Sequence, residues 1–232
     1  DNMWIIHNFI KCADLSRNLE TMINPKILDI GCFTGMKTIE LAKISNGLIF
    51  ALDVIQPYLD KLEENAQAEG VAENVEAMNK SMFSLDFDNE YFDIIWCEGA
   101  IYFIGFENGL KEWRRFLKKN GYMVISELIW LKEDPPDTLK KYWENEYPSM
   151  KSNEENLKII NNLGYTIVDW YILEEQEWWN PYTLLEKRII ELRKQYSVDP
   201  KFLEFLDINQ REIDIFRKYS EYYGYAFYII QN

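Results

Sequence analysis

The sequence predicts an α/β protein built on a doubly wound, mostly parallel sheet, and three observations predict it. From Lys26 to about Trp130, short apolar runs alternate with amphipathic helical stretches, the pattern of βαβ units. The first run, Lys26-Ile27-Leu28-Asp29-Ile30, empties into Gly31-Cys32-Phe33-Thr34-Gly35 at the mouth of a helix. The second run ends on Asp53, roughly the spacing at which an acid meets a ribose in dinucleotide folds.

Strands are expected at 26–30, 48–53, 74–79, 92–97 and 121–128. Pro57 stands at a first helical position, Leu59, Leu62 and Ala66 follow at helical spacing, and Gly70 closes that segment. Leu110, Trp113, Phe116 and Leu117 read as one helix face ended by Asn120-Gly121. Beyond residue 130 the pattern changes. Glu133 to Asp137 reads as a loop and helix start, and Ser152-Asn153-Glu154-Glu155 as a capping box. Tyr165–Leu173 reads as a sixth strand. Helices are expected to open at Pro181 and at Asp199-Pro200, and Tyr222–Ile230 is strand-like. The expected organisation is a single domain over 1–232. Residues 26–130 form its cofactor-binding core, 131–221 a cap with the sixth strand, and 222–232 a terminal strand.

Composition removes several classes of function. The 232 residues carry a formal net charge of −14, whereas nucleic-acid binding needs a basic face. Arg114, Arg115, Lys118 and Lys119 are a solvated helix face on this reading. The 3 cysteines form no CxxC pair and there is 1 histidine, so neither a disulfide framework nor a metal site is expected, and a reducing cytoplasm fits. No apolar run is long enough to span a membrane, and the opening residues show no signal-peptide pattern. The abrupt start on Asp1 leaves room for residues upstream.

The candidate ligand-binding residues sit at strand ends. Asp29, Gly31, Cys32 and Gly35 form the first loop. Asp53, with Val54 beside it, offers a carboxylate to ribose hydroxyls. Ser81 and Met82 follow the third strand, where backbone groups and an apolar side chain frame a flat base. Glu98 ends the fourth strand, beside the first loop if that strand neighbours the first. The ordered set is more specific than any one member, and Gly31–Gly35 does not fit the G-x-G-x-x-G of a nicotinamide binder.

This ordered set resembles the class I S-adenosylmethionine-dependent methyltransferases, especially the small-molecule branch similar to the ubiquinone and menaquinone biosynthesis enzymes. Asp29-Ile30-Gly31-Cys32 with Gly35 is similar to the family's first motif, Asp53 to its ribose-binding acid, and Phe92-Asp93-Ile94-Ile95-Trp96 to its fourth strand. Leu117-Lys118-Lys119-Asn120-Gly121-Tyr122 resembles its turn into strand five. Glu98 to Tyr102, with Trp178-Trp179-Asn180-Pro181-Tyr182, resembles a group of uncharacterised bacterial members. The resemblance covers residues 26–130 and implies a Rossmann-like seven-stranded sheet of order 3-2-1-4-5-7-6 with the last strand antiparallel. It also implies S-adenosyl-L-methionine as cofactor. Phe33 departs from the pattern, which has glycine at mid-loop; its benzyl group must point away from a ligand or narrow the site.

Methyl transfer from a sulfonium requires collinear alignment in a dry pocket, and a base only if the nucleophile keeps its proton at neutral pH. Candidates for that chemistry are Glu98, Tyr102 and His7. On the substrate side, Tyr102, Tyr147, Trp178, Trp179 and Tyr182 belong to an aromatic-rich stretch, expected either as a lid over a small apolar or amine-bearing substrate or as a hydrophobic plug. The expected function is methyl transfer to a small molecule, with no nucleic-acid or membrane partner and with a homodimer allowed. Its rivals are a binding protein without catalysis and a protein methyltransferase.

Overall fold

The computed structural model describes residues 22–232. Its centre is an eight-stranded sheet. β1 (Lys26–Ile30), β2 (Leu48–Asp53), β3 (Val75–Asn79) and β4 (Phe92–Cys97) are followed by a long β5 (Leu117–Trp130), a two-residue β6 (Lys151–Ser152), β7 (Thr166–Ile172) and β8 (Tyr223–Gln231). The order is β3-β2-β1-β4-β5-β8-β7, with β6 pairing β5. With the short β6 set aside, this is the expected 3-2-1-4-5-7-6. β1 pairs parallel to β2 and β4, β2 to β3, and β4 to β5. The amide of Asn120 bonds Asn232 while that of Leu131 bonds Tyr222, so β8 runs antiparallel to β5, as expected.

Helices follow the strands: α1 (Met36–Ser45), α2 (Gln56–Ala68), α3 (Phe106–Trp113), α4 (Asp137–Glu146), α5 (Asn153–Asn162), α6 (Glu175–Gln195) and α7 (Pro200–Tyr219). Ile27, Leu28 and Ile30 are all fully buried, as a central parallel strand covered on both faces requires. That burial is why β1 reads as a continuous apolar run with a single polar interruption, Asp29.

The chain divides into two compact units. The first comprises residues up to Glu127 together with Glu154–Tyr171 and Phe227–Asn232; the second comprises Leu128–Asn153 and Ile172–Ala226. The first unit holds a core of Ile27, Leu41, Ile49, Leu62, Ile94 and their neighbours. The second holds an aromatic core that includes Trp143, Tyr147, Trp178, Tyr182, Phe216 and Tyr223.

Two expectations are corrected. The helix expected to carry Leu110 through Leu117 ends at Trp113; Arg114–Phe116 form a 3₁₀ turn and Leu117 already pairs with Phe92. Asn120-Gly121 is therefore an irregularity inside β5, with Asn120 at φ 62° and a register shift beside it. The Arg114 guanidinium bonds the carbonyls of Leu163 and Gly164. Pro181 does not open a helix but lies inside α6. The true start is the capping box at Glu174 and Glu177, whose carboxylate accepts from the Glu174 amide at 3.0 Å. Asp199 caps α7 as expected, accepting from the amides of Lys201 and Phe202.

Candidate functional site

The carboxyl ends of β1, β2 and β4 bring the expected residues of the first unit together. After β1 the backbone turns through three left-handed residues, Gly31 at φ 78°, Phe33 at 51° and Gly35 at 86°. The amides of Gly31 and Cys32 both bond the Leu52 carbonyl, at 2.9 and 3.1 Å. This ties the loop to the end of β2. A Cβ on Gly31 would stand 2.6 Å from that of Ala100, and one on Gly35 would stand 1.9 Å from Leu62 Cδ1. Both positions thus need glycine twice over, for conformation and for close approach. Gly35→Ala is expected to lower stability by about 2–4 kcal/mol, combining left-handed strain with overpacking against buried Leu62. Equilibrium denaturation measures it, and an unchanged midpoint would contradict the packing described.

Asp53 is the hinge between the loop and α2. Its carboxylate accepts from the amide of Phe33 at 3.2 Å and from that of Ile55 at 2.9 Å. Phe33 therefore earns its awkward conformation by giving Asp53 a backbone donor. Its ring leans on Tyr58, with centroids 4.1 Å apart, and stays 54% exposed. The benzyl group thus rests on Tyr58 of α2.

Asp29 is buried, and Thr38 Oγ1 donates to it at 2.6 Å. Burial pushes its carboxyl up to about 7; the Thr38 hydrogen bond opposes this and the charge of Glu98 adds to it. Glu98 pairs with Lys37 at 3.4 Å. Glu40 is also pushed up to about 7, mainly by burial, with Lys37 opposing. Lys37, Thr38 and Glu40 went unread in the sequence because they lie inside α1, where charged residues at helical spacing look like a solvated face.

The remaining expected residues fall into three groups. Ser81 and Met82 follow β3, where Ser81 accepts from Phe83 and Ser84, and the Trp113 indole N–H reaches the Met82 carbonyl at 3.4 Å. The Lys80 amide bonds the Asp53 carbonyl at 3.2 Å, linking this segment to β2. Tyr102 is at the surface, its ring tilted against that of Phe103 with centroids 4.0 Å apart. Tyr147, Trp178 and Tyr182 are buried in the core of the second unit, while Trp179 is half-buried with its N–H on Glu175. His7 lies outside the described residues, as does Cys12; Cys32 and Cys97 are buried free thiols.

One signal was missed. Phe33, Met36, Val54, Phe83 and Phe103 are large apolar side chains left more than half exposed, all just beyond the carboxyl ends of these strands. Exposed apolar groups gathered on one edge mark a binding surface. Beside them stand the paired charges Glu98 and Lys37 and the carboxylate of Asp53. Charged hydrogen-bonding groups inside an apolar rim suit a ligand with a flat base, a ribose and a zwitterionic tail.

Comparison with known proteins bears on the fold. Residues 27–121 match the family model described as a methyltransferase domain. An uncharacterized protein of Haemophilus influenzae is 28% identical over 112 residues, covering 47% of this chain and 45% of that protein. Methyltransferase GfsG of Streptomyces halstedii is 23% identical over 116 residues, covering 50% of this chain and 42% of that enzyme. The matched stretch thus spans less than half of either curated relative. A SAM-dependent methyltransferase from Geobacter sulfurreducens, solved in complex with S-adenosyl-L-homocysteine, superposes with a TM-score of 0.81 at 19% identity, over 95% of this chain and 89% of that one. The fold is that of the class I S-adenosylmethionine-dependent methyltransferases. Residues 27–121 match the methyltransferase-domain model, and the solved neighbour of this fold was crystallised with S-adenosyl-L-homocysteine.

Proposed function

We propose that this chain is a methyltransferase that moves a methyl group from S-adenosyl-L-methionine to a small-molecule acceptor in the cytoplasm, in a branch similar to the ubiquinone and menaquinone biosynthesis enzymes. The observation that carries the reading is the gathering of Asp29, Gly31, Gly35, Asp53 and Glu98 at adjoining strand ends, inside a rim of exposed apolar side chains. S-adenosyl-L-methionine supplies an electrophilic methyl group on a sulfonium.

The residues present fit that group. Asp53, already oriented by two backbone amides, keeps lone pairs for the ribose hydroxyls. Val54 and Phe83 provide apolar faces for the base, next to Ser81 and Met82. Glu98 and Lys37 form the charge pair that suits the amino-acid end, and Cys32 lines the loop. With Glu98 already held by Lys37, it serves as an orienting charge more readily than as a free base. Tyr102 stands where an acceptor would approach. The net charge of −14 disfavours polyanionic substrates such as nucleic acid. Among the described residues, no helix is long and apolar enough to cross a membrane.

Calorimetric titration with S-adenosylmethionine and S-adenosylhomocysteine tests the reading, and no heat from either at millimolar concentration would end it. Asp53→Ala is expected to weaken both ligands by about 10- to 100-fold, the worth of charge-assisted hydrogen bonds to two hydroxyls. Wild-type affinity in that variant would remove Asp53 from the site.

A further inference from the structure

We propose that a cavity of the second unit, between α4, α6 and α7, binds the phosphate group of a small organic phosphomonoester. This goes beyond methyl transfer, because the site lies wholly in that unit and its occupancy is measured by binding alone.

The cavity has a volume of about 380 Å³ and is open to solvent, which puts it at the lower end of small-molecule sites. Arg193 of α6 and Arg211 and Lys218 of α7 line it, with Thr138 from the first turn of α4. Positions 211 and 218 are two helical turns apart, so both stand on one face of α7. Asp207 and Asp214 share that face and also line the cavity, but both are already balanced. Asp207 holds Arg193 at 2.5 Å, and Asp214 accepts from Arg217 at 2.7 Å and from Gln210 at 3.1 Å.

Arg211 and Lys218 are left over. Among the described residues neither forms an ion pair. Each lies over a ring instead, Arg211 at 5.5 Å from the centroid of Tyr142 and Lys218 at 4.9 Å from that of Tyr219. A ring face steadies a cation without neutralising it, and the N–H groups stay free to donate. In a chain of net charge −14 an anion is held only where cations gather locally, and here two uncommitted ones line a single cavity. Two such cations match a dianion. A phosphomonoester carries about −1.5 to −2 at neutral pH and three acceptor oxygens, enough for the Arg211 guanidinium, the Lys218 ammonium and the Thr138 hydroxyl. A carboxylate brings one charge and two oxygens. Half-buried Ile215 and buried Tyr219 line the same cavity, an apolar surface for the organic part of the ligand.

The experiment titrates the full chain with phenyl phosphate and with benzoate, a monoanion of similar shape, by calorimetry at neutral pH and low salt. Phenyl phosphate is expected to bind saturably at millimolar concentration or better, and at least about 5-fold more tightly than benzoate, because it adds a charge and an acceptor. Arg211→Gln and Lys218→Gln are each expected to weaken it about 3- to 10-fold. Both positions are exposed, so melting temperatures are expected to hold. Lys187→Gln and Lys201→Gln remove the same charge from helix positions outside the cavity lining and are expected to leave the affinity unchanged. No saturable binding of phenyl phosphate, or benzoate binding equally tightly, overturns the proposal. So does an equal loss in the Lys187 and Lys201 variants, which would make the attraction a matter of total charge.

Discussion

Trp178→Ala is expected to destabilise the protein by about 3–5 kcal/mol, the usual cost of deleting a large buried aromatic side chain. Trp178 is 7% exposed and meets Phe216, Tyr225, Tyr223 and Tyr182 with ring centroids 4.3, 4.7, 5.5 and 5.9 Å away. Truncation leaves a cavity walled by rings that belong to three elements, α6, α7 and β8, and no one of them can move to fill it alone. At this chain length the loss corresponds to a fall in melting temperature of roughly 10 °C. Trp179→Ala is the internal control. Its ring is half-buried, touches Phe216 at 5.0 Å, carries Arg217 at 5.5 Å, and spends its N–H on Glu175 within the same helix. Its loss is expected to cost no more than about 2 kcal/mol. Thermal and denaturant unfolding of the two variants checks the ranking. Equal and small effects would mean that the rings are a detachable cover and not the core of the second unit.

That contrast shows how far the sequence could be read. The expected strands emerged because parallel strands buried on both faces leave continuous apolar runs, as β1 and β2 do, and because Asp53 and the loop glycines interrupt those runs where the backbone turns. Their order was expected from the family resemblance alone. Adjacent tryptophans at 178 and 179 carried no such directional information. Successive residues on a helix point about 100° apart, so which ring is core depends on where α6 begins. The sequence reading started α6 at Pro181, which put both rings outside the helix, whereas Glu174 and Glu177 start it a turn and a half earlier. Proline is a strong local signal, yet here the capping box and the packing of Trp178 outweigh one missing amide. The candidate residues Asp29, Gly31, Gly35, Asp53 and Glu98 were legible because they lie at or just beyond the carboxyl ends of β1, β2 and β4. Lys37, Thr38 and Glu40 were not, since their role depends on which face of α1 looks toward β1 and β4.

Stability should also fall as pH rises from about 5 to 7, and Asp29 should carry much of the slope. Its folded-state pKa of about 7 lies above the ordinary value of 3.8 because burial penalises the charged form. The native state therefore holds a proton that the unfolded chain has already lost at these pH values. With more protons bound in the native state, unfolding free energy decreases as pH increases, until the native carboxyl has itself ionised near pH 7. Glu40, pushed up to about 7 as well, bends the curve in the same direction but is more exposed, and solvent screening shrinks its share. Asp86 and Glu186 shift the opposite way, lowered by Lys80 and Arg217 respectively; they lie at the surface, and their contribution would be lost only at lower pH. Asp29→Asn keeps an oxygen to accept from Thr38 and removes the ionisation. The stability difference between this variant and wild type is expected to grow in the variant's favour by about 2–3 kcal/mol between pH 5 and pH 8. Denaturant titrations at four pH values would measure it. A difference that is flat, or that grows toward low pH, would mean that Asp29 is ionised throughout in the native state and that Thr38 or Lys37 outweighs its burial.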